Sequence, residues 1–194
     1  MTRALQTTPP ATITVTHTIV VLRGELRSDI TVHYAQTTDA RIAMTFGTTV
    51  MNFYCAAAVH GLLEAFDTAR VAMARIPRQL HLPAAPPYEP FARTTVAIEW
   101  TRRAEYCVVP ESAPGQHNGA SHWLDIHCGP VTFQIRDQLG LKSAIELLSR
   151  AHKTAVAAFP DGDQHADDFT AEDHPSPEQW SQTRARRSRP RARQ

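Results

Sequence analysis

Residues 40–66 read "ARIAMTFGTTVMNFYCAAAVHGLLEAF", and a similar stretch begins 82 residues later, where residues 122–148 read "HWLDIHCGPVTFQIRDQLGLKSAIELL". Each stretch has two short runs rich in apolar and β-branched residues around one glycine, followed by apolar residues at spacings of three and four. At this offset Gly47 falls on Gly129 and Glu64 falls on Glu146. The pattern predicts strand, turn, strand and helix in both places.

Two more strands are predicted before each of these stretches. Residues 11–25, "ATITVTHTIVVLRGE", alternate with period two and predict a half-buried antiparallel strand, whose return strand after the turn "RGELRSD" is "ITVHYAQ". One face of the first strand carries Ile13, Val15, His17, Ile19 and Val21, and the other carries Thr12, Thr14, Thr16 and Thr18. In the second half, "RTTVAIEW" and "EYCVVPE" precede the repeated stretch. The sequence therefore predicts two ββββα units, at residues 11–76 and 91–160.

The predicted helices, at about residues 56–76 and 141–158, each carry one apolar stripe. The stripe of the first helix consists of Val59, Leu62, Phe66, Ala69, Met73 and Ile76, and that of the second of Leu141, Ile145, Leu148, Ala151, Ala155 and Phe159. A four-stranded sheet with one helix has too little core of its own, so two units are expected to pair. The predicted fold class is α+β: tandem ββββα repeats, with antiparallel sheets packed against two long helices. The alternative is an α+β domain whose halves match by chance.

Three segments lie outside the predicted units. Residues 1–10 are a polar lead-in, and residues 77–90, with five prolines, predict an extended linker or a strap across the surface. Residues 161–178 hold seven acids and no base, and residues 184–193 hold six arginines and no acid. Apolar periodicity ends at Pro160, so residues 161–194 are predicted to be disordered, with Phe169 or Trp180 as possible docking anchors.

Composition sets broad limits. No apolar run reaches the roughly 20 residues of a membrane helix, and the N-terminal residues have no apolar signal-peptide core. A cytoplasmic location is therefore expected. The three cysteines, Cys55, Cys107 and Cys128, are odd in number and lie in apolar segments, which predicts reduced and mostly buried thiols.

No motif for an enzyme is present, so we predict a non-enzymatic protein without a cofactor. Cys55 lies near His60, but at the entry to a helix a buried packing cysteine is favoured over a nucleophile. A metal site is a weaker possibility in the segment that contains His117, His122, Asp125, His127 and Cys128. Asp125 and His127 would share one face of a strand, but no pair of helical histidines or Cys-x-x-Cys completes a ligand set, so no metal is predicted.

Binding of single-stranded nucleic acid is a more specific alternative. The segment "WTRRAEY" is expected to form a hairpin turn that carries Trp100, Arg102, Arg103 and Tyr106, and single-strand binders stack bases on aromatic rings and hold phosphates with arginines. The basic tail would attract any polyanion through Arg184, Arg186, Arg187, Arg189, Arg191 and Arg193. The structural alternatives are that Trp100 belongs to the core and that the tail is a solvated arm.

Part of the chain resembles the SsgA-like family of small actinobacterial proteins. The matching points are Tyr34, the pair Thr45-Phe46, the pair Leu62-Leu63 and the run "LKSAIELLSRAHKTAVAAFPDGDQHADDF" at residues 141–169. The resemblance implies a two-repeat fold similar to Whirly-type single-strand binders, assembly into oligomers, and a role in septum placement and sporulation-linked cell division through protein contacts. The expected function is thus a regulatory adaptor with a protein partner, and the alternative is a single-stranded DNA or RNA binder.

Overall fold

The computed structural model describes residues 15–80, 95–114 and 120–167. The strands are β1 (Thr18–Leu22), β2 (Ile30–His33), β3 (Arg41–Phe46), β4 (Thr49–Phe53), β5 (Val96–Trp100), β6 (Tyr106–Pro114), β7 (Ala120–Cys128) and β8 (Val131–Ile135). The helices are α1 (Ala56–Thr68), which continues as a 3-10 helix (Ala69–Arg75), and α2 (Gln138–Ala158), which is followed by a second 3-10 helix (Gly162–His165). The α+β class is confirmed.

The strands form two mixed sheets of four. One sheet has the order β1-β8-β7-β6 and the other β2-β3-β4-β5. The pairs β1–β8 and β4–β5 are parallel, and the remaining pairs are antiparallel. The prediction of purely antiparallel sheets is wrong, because the first strand of each half of the chain joins the sheet of the other half.

The predicted β1–β2 hairpin is also wrong, because the residues after β1 bind α2 instead of turning back on β1. Gly24 has a φ of +66° and donates its N–H to Asp137, and the Leu26 N–H donates to the Ser143 hydroxyl at 2.9 Å. In β1 itself Val20 and Leu22 are buried, whereas Ile19 is 58% and Val21 51% exposed. The face that carries Ile19 and Val21 therefore points away from the core.

Both predicted helical stripes lie in the core, except that Met73 is only partly buried. The side chains of Phe66 and Phe133 meet edge to face with ring centroids 5.2 Å apart, which joins α1 to β8. Trp100 stacks with Phe53 and Phe133 at 6.5 and 6.4 Å. Aromatic contacts of this kind connect the two sheets into a single core.

Asp137 begins α2 and is completely buried. Its carboxylate accepts backbone N–H bonds from Gly140 at 2.8 Å, Gly24 at 3.0 and 3.1 Å, and Leu80 at 3.0 Å. A buried carboxylate is stable only when donors surround it, and here they come from the helix, from the end of β1 and from the segment after the first 3-10 helix. Asp137 thus binds three separate parts of the chain together.

The first residues of the proline-rich linker pack against the start of α2. Gln138 and Leu139 donate their N–H groups to the carbonyls of Pro77 and Arg78, at 2.9 and 3.2 Å. These carbonyls satisfy helix N-terminal donors that have no partner within the helix. Residues 77–80 of the predicted linker therefore pack against the fold and are called the strap below, while residues 81–90 lie outside the described residues.

The predicted boundary of the disordered tail is wrong at its start. The Asp161 carboxylate accepts N–H bonds from Ala56 at 3.0 Å and Ala57 at 3.2 Å, where Cys55 provides no side-chain cap for α1. Gly162 is buried, and a Cβ there would lie 2.0 Å from the Val156 carbonyl oxygen. Residues 161–167 therefore belong to the fold, while residues 168–194, with Phe169 and Trp180, lie outside the described residues.

Replacing Asp137 with alanine should lower the free energy of unfolding by about 3 kcal/mol, because the helix loses its cap and two further N–H groups lose their acceptor. Urea unfolding followed by circular dichroism measures the change. The control is Asp39→Ala at an exposed position, expected to change stability by less than about 0.5 kcal/mol. Equal effects of the two substitutions would contradict the role of Asp137.

Replacing Asp161 with alanine should cost about 1 kcal/mol, because α1 then loses the carboxylate that accepts from its first two N–H groups. Asp163→Ala is the matched control, since Asp163 is exposed two residues away. Thermal unfolding of the full chain compares them. An unchanged midpoint for Asp161→Ala would show that residues 161–167 do not stabilise α1.

Candidate functional site

The structure does not bring the predicted nucleic-acid residues together on one hairpin. β5 pairs with β4 and β6 pairs with β7, so the segment between β5 and β6 crosses from one sheet to the other. Trp100 ends β5 with 6% of its surface exposed, and its ring lies against Phe53 and Phe133. No open ring face remains there for a base to stack on.

The neighbouring residues are held by α1. The Arg103 guanidinium forms an ion pair with Glu64 and donates to His60 Nδ1 at 3.3 Å. Gly61 permits this arrangement, because a Cβ at that position would lie 2.5 Å from Arg103 Cγ. The Tyr106 hydroxyl lies 3.1 Å from the Thr68 hydroxyl, also on α1. Arg103 and Tyr106 thus anchor the crossing segment to the helix.

Arg102 is exposed. The six arginines of the tail lie outside the described residues. Phosphate binding by Arg102 or by the tail remains a prediction, but the joint site with Trp100 as the stacking platform is wrong.

Three histidines meet where α1, α2 and the second 3-10 helix come together. The His60 ring centroid lies 5.4 Å from that of His152 and 5.3 Å from that of His165. His152 is buried, and its Nε2 lies 2.7 Å from the His165 carbonyl oxygen, so that nitrogen carries the proton and donates it. Sequence reasoning missed this cluster, since His60 and His165 are 105 residues apart in the chain.

Burial, followed by the neighbouring His152, Arg103 and His165, lowers the pKa of His60 from 6.5 to about 4, and Asp167 opposes this shift. His60 therefore stays neutral near pH 7 and accepts from Arg103. Among the residues that the structure describes, no group of three histidine, cysteine or carboxylate side chains is placed to hold a metal ion. The cluster is best explained as a packed junction between the helices, held by the bonds of His60 to Arg103 and of His152 to the His165 carbonyl.

The cysteines and the candidate metal ligands His127 and Asp125 lie in surroundings typical of structural residues. The Cys55 thiol is half-buried, which raises its pKa and disfavours the thiolate that a nucleophile needs. Cys128 is buried, and its pKa rises to about 12, whereas Cys107 is exposed, contrary to the prediction. The His127 ring is bound to the Thr132 hydroxyl at 2.8 Å, and Asp125 accepts from the Gln134 amide at 3.3 Å.

Among the described residues, β1 pairs only with β8, and its other edge, called here the free edge, is an open apolar feature near the core. In sheet pairing, alternate residues of a strand point their backbone groups to opposite sides. Thr18 donates its N–H to Pro130 beside β8, so the N–H groups of Ile19 and Val21 point away from β8. The side chains of both residues are also more than half exposed.

A groove of about 340 Å³ follows this edge. Residues 18–23 form one wall, Gly47, Thr48, Thr49 and Val96 form the opposite wall, and Leu26 and Phe46 contribute apolar surface. Unpaired strand edges are templates for a further strand, and proteins usually block them with charge or proline. β1 has neither within Thr18–Leu22. Alternating apolar residues at 13–21 were the sequence signal for a strand, but not for an exposed edge.

The chain matches no family model, no curated protein and no solved structure. Among the described residues, no helix is both long and apolar enough to cross a membrane. The fold and the site define an α+β protein with two mixed four-stranded sheets and an open strand edge.

Lowering the pH from 7 to 4 should destabilise the protein through His60. The unfolded imidazole binds a proton below pH 6.5, whereas the folded one resists protonation until about pH 4, so stability is lost in this window as pH falls. The shift corresponds to about 3 kcal/mol. His60→Gln should flatten the unfolding free energy between pH 7 and 4, while His122→Gln, at an exposed position, should not. Identical pH profiles for wild type and His60→Gln would contradict this assignment.

Proposed function

We propose that this protein is a non-enzymatic regulatory adaptor of bacterial cell division or sporulation, and that it binds an extended segment of a partner protein along the free edge of β1. The observation that carries the proposal is the groove beside β1, where outward backbone groups of Ile19 and Val21 lie next to apolar side chains. An added strand gains affinity from main-chain hydrogen bonds and selectivity from alternate side chains.

The shape of the groove favours an extended peptide over a second copy of the chain. The turn residues Gly47–Thr49 and Val96 stand opposite β1. A β1 strand from a second copy would carry the same wall beside it, and the two walls would obstruct each other. A single peptide strand has no such obstruction. Its preferred sequence would place apolar residues at alternate positions, facing Leu26 and Phe46.

The proposal retains the finer fold assignment, a Whirly-like tandem ββββα repeat, with the first strands exchanged between the halves. The offset of 82 residues supports it, since it relates Gly47 to Gly129, β4 to β8, and the first residue of α1 to that of α2. Both glycines have a positive φ, of 57° and 58°. The first residue of β1 lies opposite that of β8, and the first residue of β5 lies opposite that of β4. Assembly into oligomers and a cytoplasmic location stay predictions.

The cell-division role rests on the resemblance at Tyr34, Thr45-Phe46 and Leu62-Leu63. Phe46 lines the groove, and Leu62 and Leu63 are buried in the common core. The single-strand alternative is weakened by the burial of Trp100. It is therefore included only as an outcome of the test.

Replacing Ile19 with proline should weaken peptide binding at least tenfold, because it removes an outward N–H while leaving the bonds of β1 to β8 in place. The control is Ala97→Pro, since Val96 donates to Thr48 beside β4 and the Ala97 N–H therefore points outward from the other parallel edge. Peptides selected from a random 12-residue display library on the full chain should bind wild type and Ala97→Pro, and bind Ile19→Pro at least tenfold more weakly.

A test in the native host addresses the biological role. Ile19→Pro should alter the number or position of septa, whereas Ala97→Pro should not, when each variant replaces the wild-type chain and septa are counted by fluorescence microscopy. Selected peptides that bind both variants equally would exclude the β1 edge. Single-stranded oligonucleotide binding at about 50 mM salt, with no selected peptide, would favour the nucleic-acid alternative instead.

A further inference from the structure

A second cavity, of about 720 Å³, borders the C-terminal end of β1, where it shares Val21 and Arg23 with the groove. It is bounded by the end of β1, the segment that follows the first 3-10 helix, the start of β7 and the end of β8. Its basic side chains are Arg23, Arg75, Arg136 and His122. Its apolar side chains are Val21, Ile76, Pro77 and Leu80.

The three arginines have no carboxylate partner among the described residues, where the ion pairs formed by arginine are Arg70 with Asp67 and Arg103 with Glu64. Arg136 is oriented by Trp123, since its guanidinium lies 4.5 Å from the centroid of the indole ring. Three arginines that line one cavity without a carboxylate partner repel each other, and an anion would relieve that repulsion.

The nearest buried carboxylate does not neutralise them. Asp137 follows Arg136 directly, but its oxygens are occupied by the N–H groups of Gly24, Leu80 and Gly140. The backbone N–H groups that bind Asp137 and the three arginines of the cavity therefore have separate roles. The donors hold the end of β1 and the strap in place, whereas the arginines line the cavity.

The apolar residues of the cavity indicate that the ligand is more than an inorganic anion. Val21 is 51% exposed and Leu80 is 37% exposed, and both lie beside the arginines. A ligand with a charged end and a flat or apolar body would cover both kinds of surface. The cavity volume lies within the range of roughly 300–1,000 Å³ that is usual for small-molecule sites.

We propose that this cavity binds a free nucleotide, with its di- or triphosphate on Arg23, Arg75 and Arg136 and its nucleoside against Val21, Pro77 and Leu80. Arginine suits phosphate because its planar fork donates two parallel hydrogen bonds. His122 stands at the rim, where it adds a further donor.

A free nucleotide fits better than a nucleic-acid strand. Two carboxylates lie near Arg136 on the β1-β8-β7-β6 sheet. Glu111 is paired with Trp123, the residue that Arg136 covers, and Asp125 is paired with Gln134, two residues before Arg136. A strand that left the cavity across this sheet would bring its phosphates towards these carboxylates. A ligand contained in the cavity avoids them.

The experiment titrates the full chain with ADP at about 50 mM salt and follows binding by calorimetry. Arg75→Ala and Arg23→Ala should each weaken ADP binding at least tenfold, as expected for the loss of a charged hydrogen bond. Arg78→Ala is the matched control, because Arg78 is exposed, lies three residues from Arg75 and is not part of the cavity. It should change the affinity less than twofold.

Four other ligands complete the test: adenosine, pyrophosphate, oligo-glutamate and dT10. The variant Ile19→Pro distinguishes this cavity from the peptide groove, because Ile19 lines only the groove. ADP should bind Ile19→Pro as it binds wild type, and adenosine should bind far more weakly than ADP. Pyrophosphate or oligo-glutamate binding as tightly as ADP would overturn the nucleotide assignment. A dT10 strand that binds more tightly than ADP and loses affinity with Arg75→Ala would overturn the choice of a free ligand. No ADP binding below 1 mM, or equal losses with Arg75→Ala and Arg78→Ala, would overturn the site.

Discussion

The buried carboxylate of Asp137 is the constraint on which the arrangement of this fold depends. A buried charge is costly without donors, and those of Asp137 come from Gly24, Leu80 and Gly140, three parts of the chain that are distant in sequence. Asp137 lies two residues after the end of β8, so its bond to Gly24 holds the end of β1 beside β8. The backbone N–H of Arg136 extends this contact by donating to the Leu22 carbonyl. The placement of β1 in the sheet of the second half thus supplies the buried Asp137 carboxylate with one of its hydrogen-bond donors, the Gly24 N–H.

The unpaired N–H groups at the N-termini of the two helices are capped in different ways. α2 begins with its own acidic cap, whereas α1 begins at Cys55, which provides none, and receives the carboxylate of Asp161 from beyond the end of α2. Each half therefore depends on residues of the other. With the shared core of Phe66, Phe133 and Trp100, these contacts argue for one cooperative unit rather than two units that fold separately.

β1 connects the two proposed binding surfaces. Its free edge forms one wall of the peptide groove, and its end at Val21 and Arg23 also borders the arginine-lined cavity. An occupant of the cavity would contact the same strand that a partner segment would extend. The proposed protein-binding and nucleotide-binding surfaces are therefore adjacent and share Val21 and Arg23, although the first relies on main-chain hydrogen bonds and the second on arginine charge.

The sequence by itself determined the α+β class, the positions of the strands and the buried stripes of both helices, because side-chain periodicity reports which face meets a core. Gly47 and Gly129 also marked their turns correctly. Only the tertiary structure decided strand partners, the burial of Trp100 and the role of Asp161, since these depend on contacts between residues far apart in the chain. Periodicity gives the two faces of a strand such as β1, but not its neighbour. The exposure of Ile19 and Val21 and the shared cavity of Arg23, Arg75 and Arg136 therefore follow from tertiary contacts that no local pattern contains.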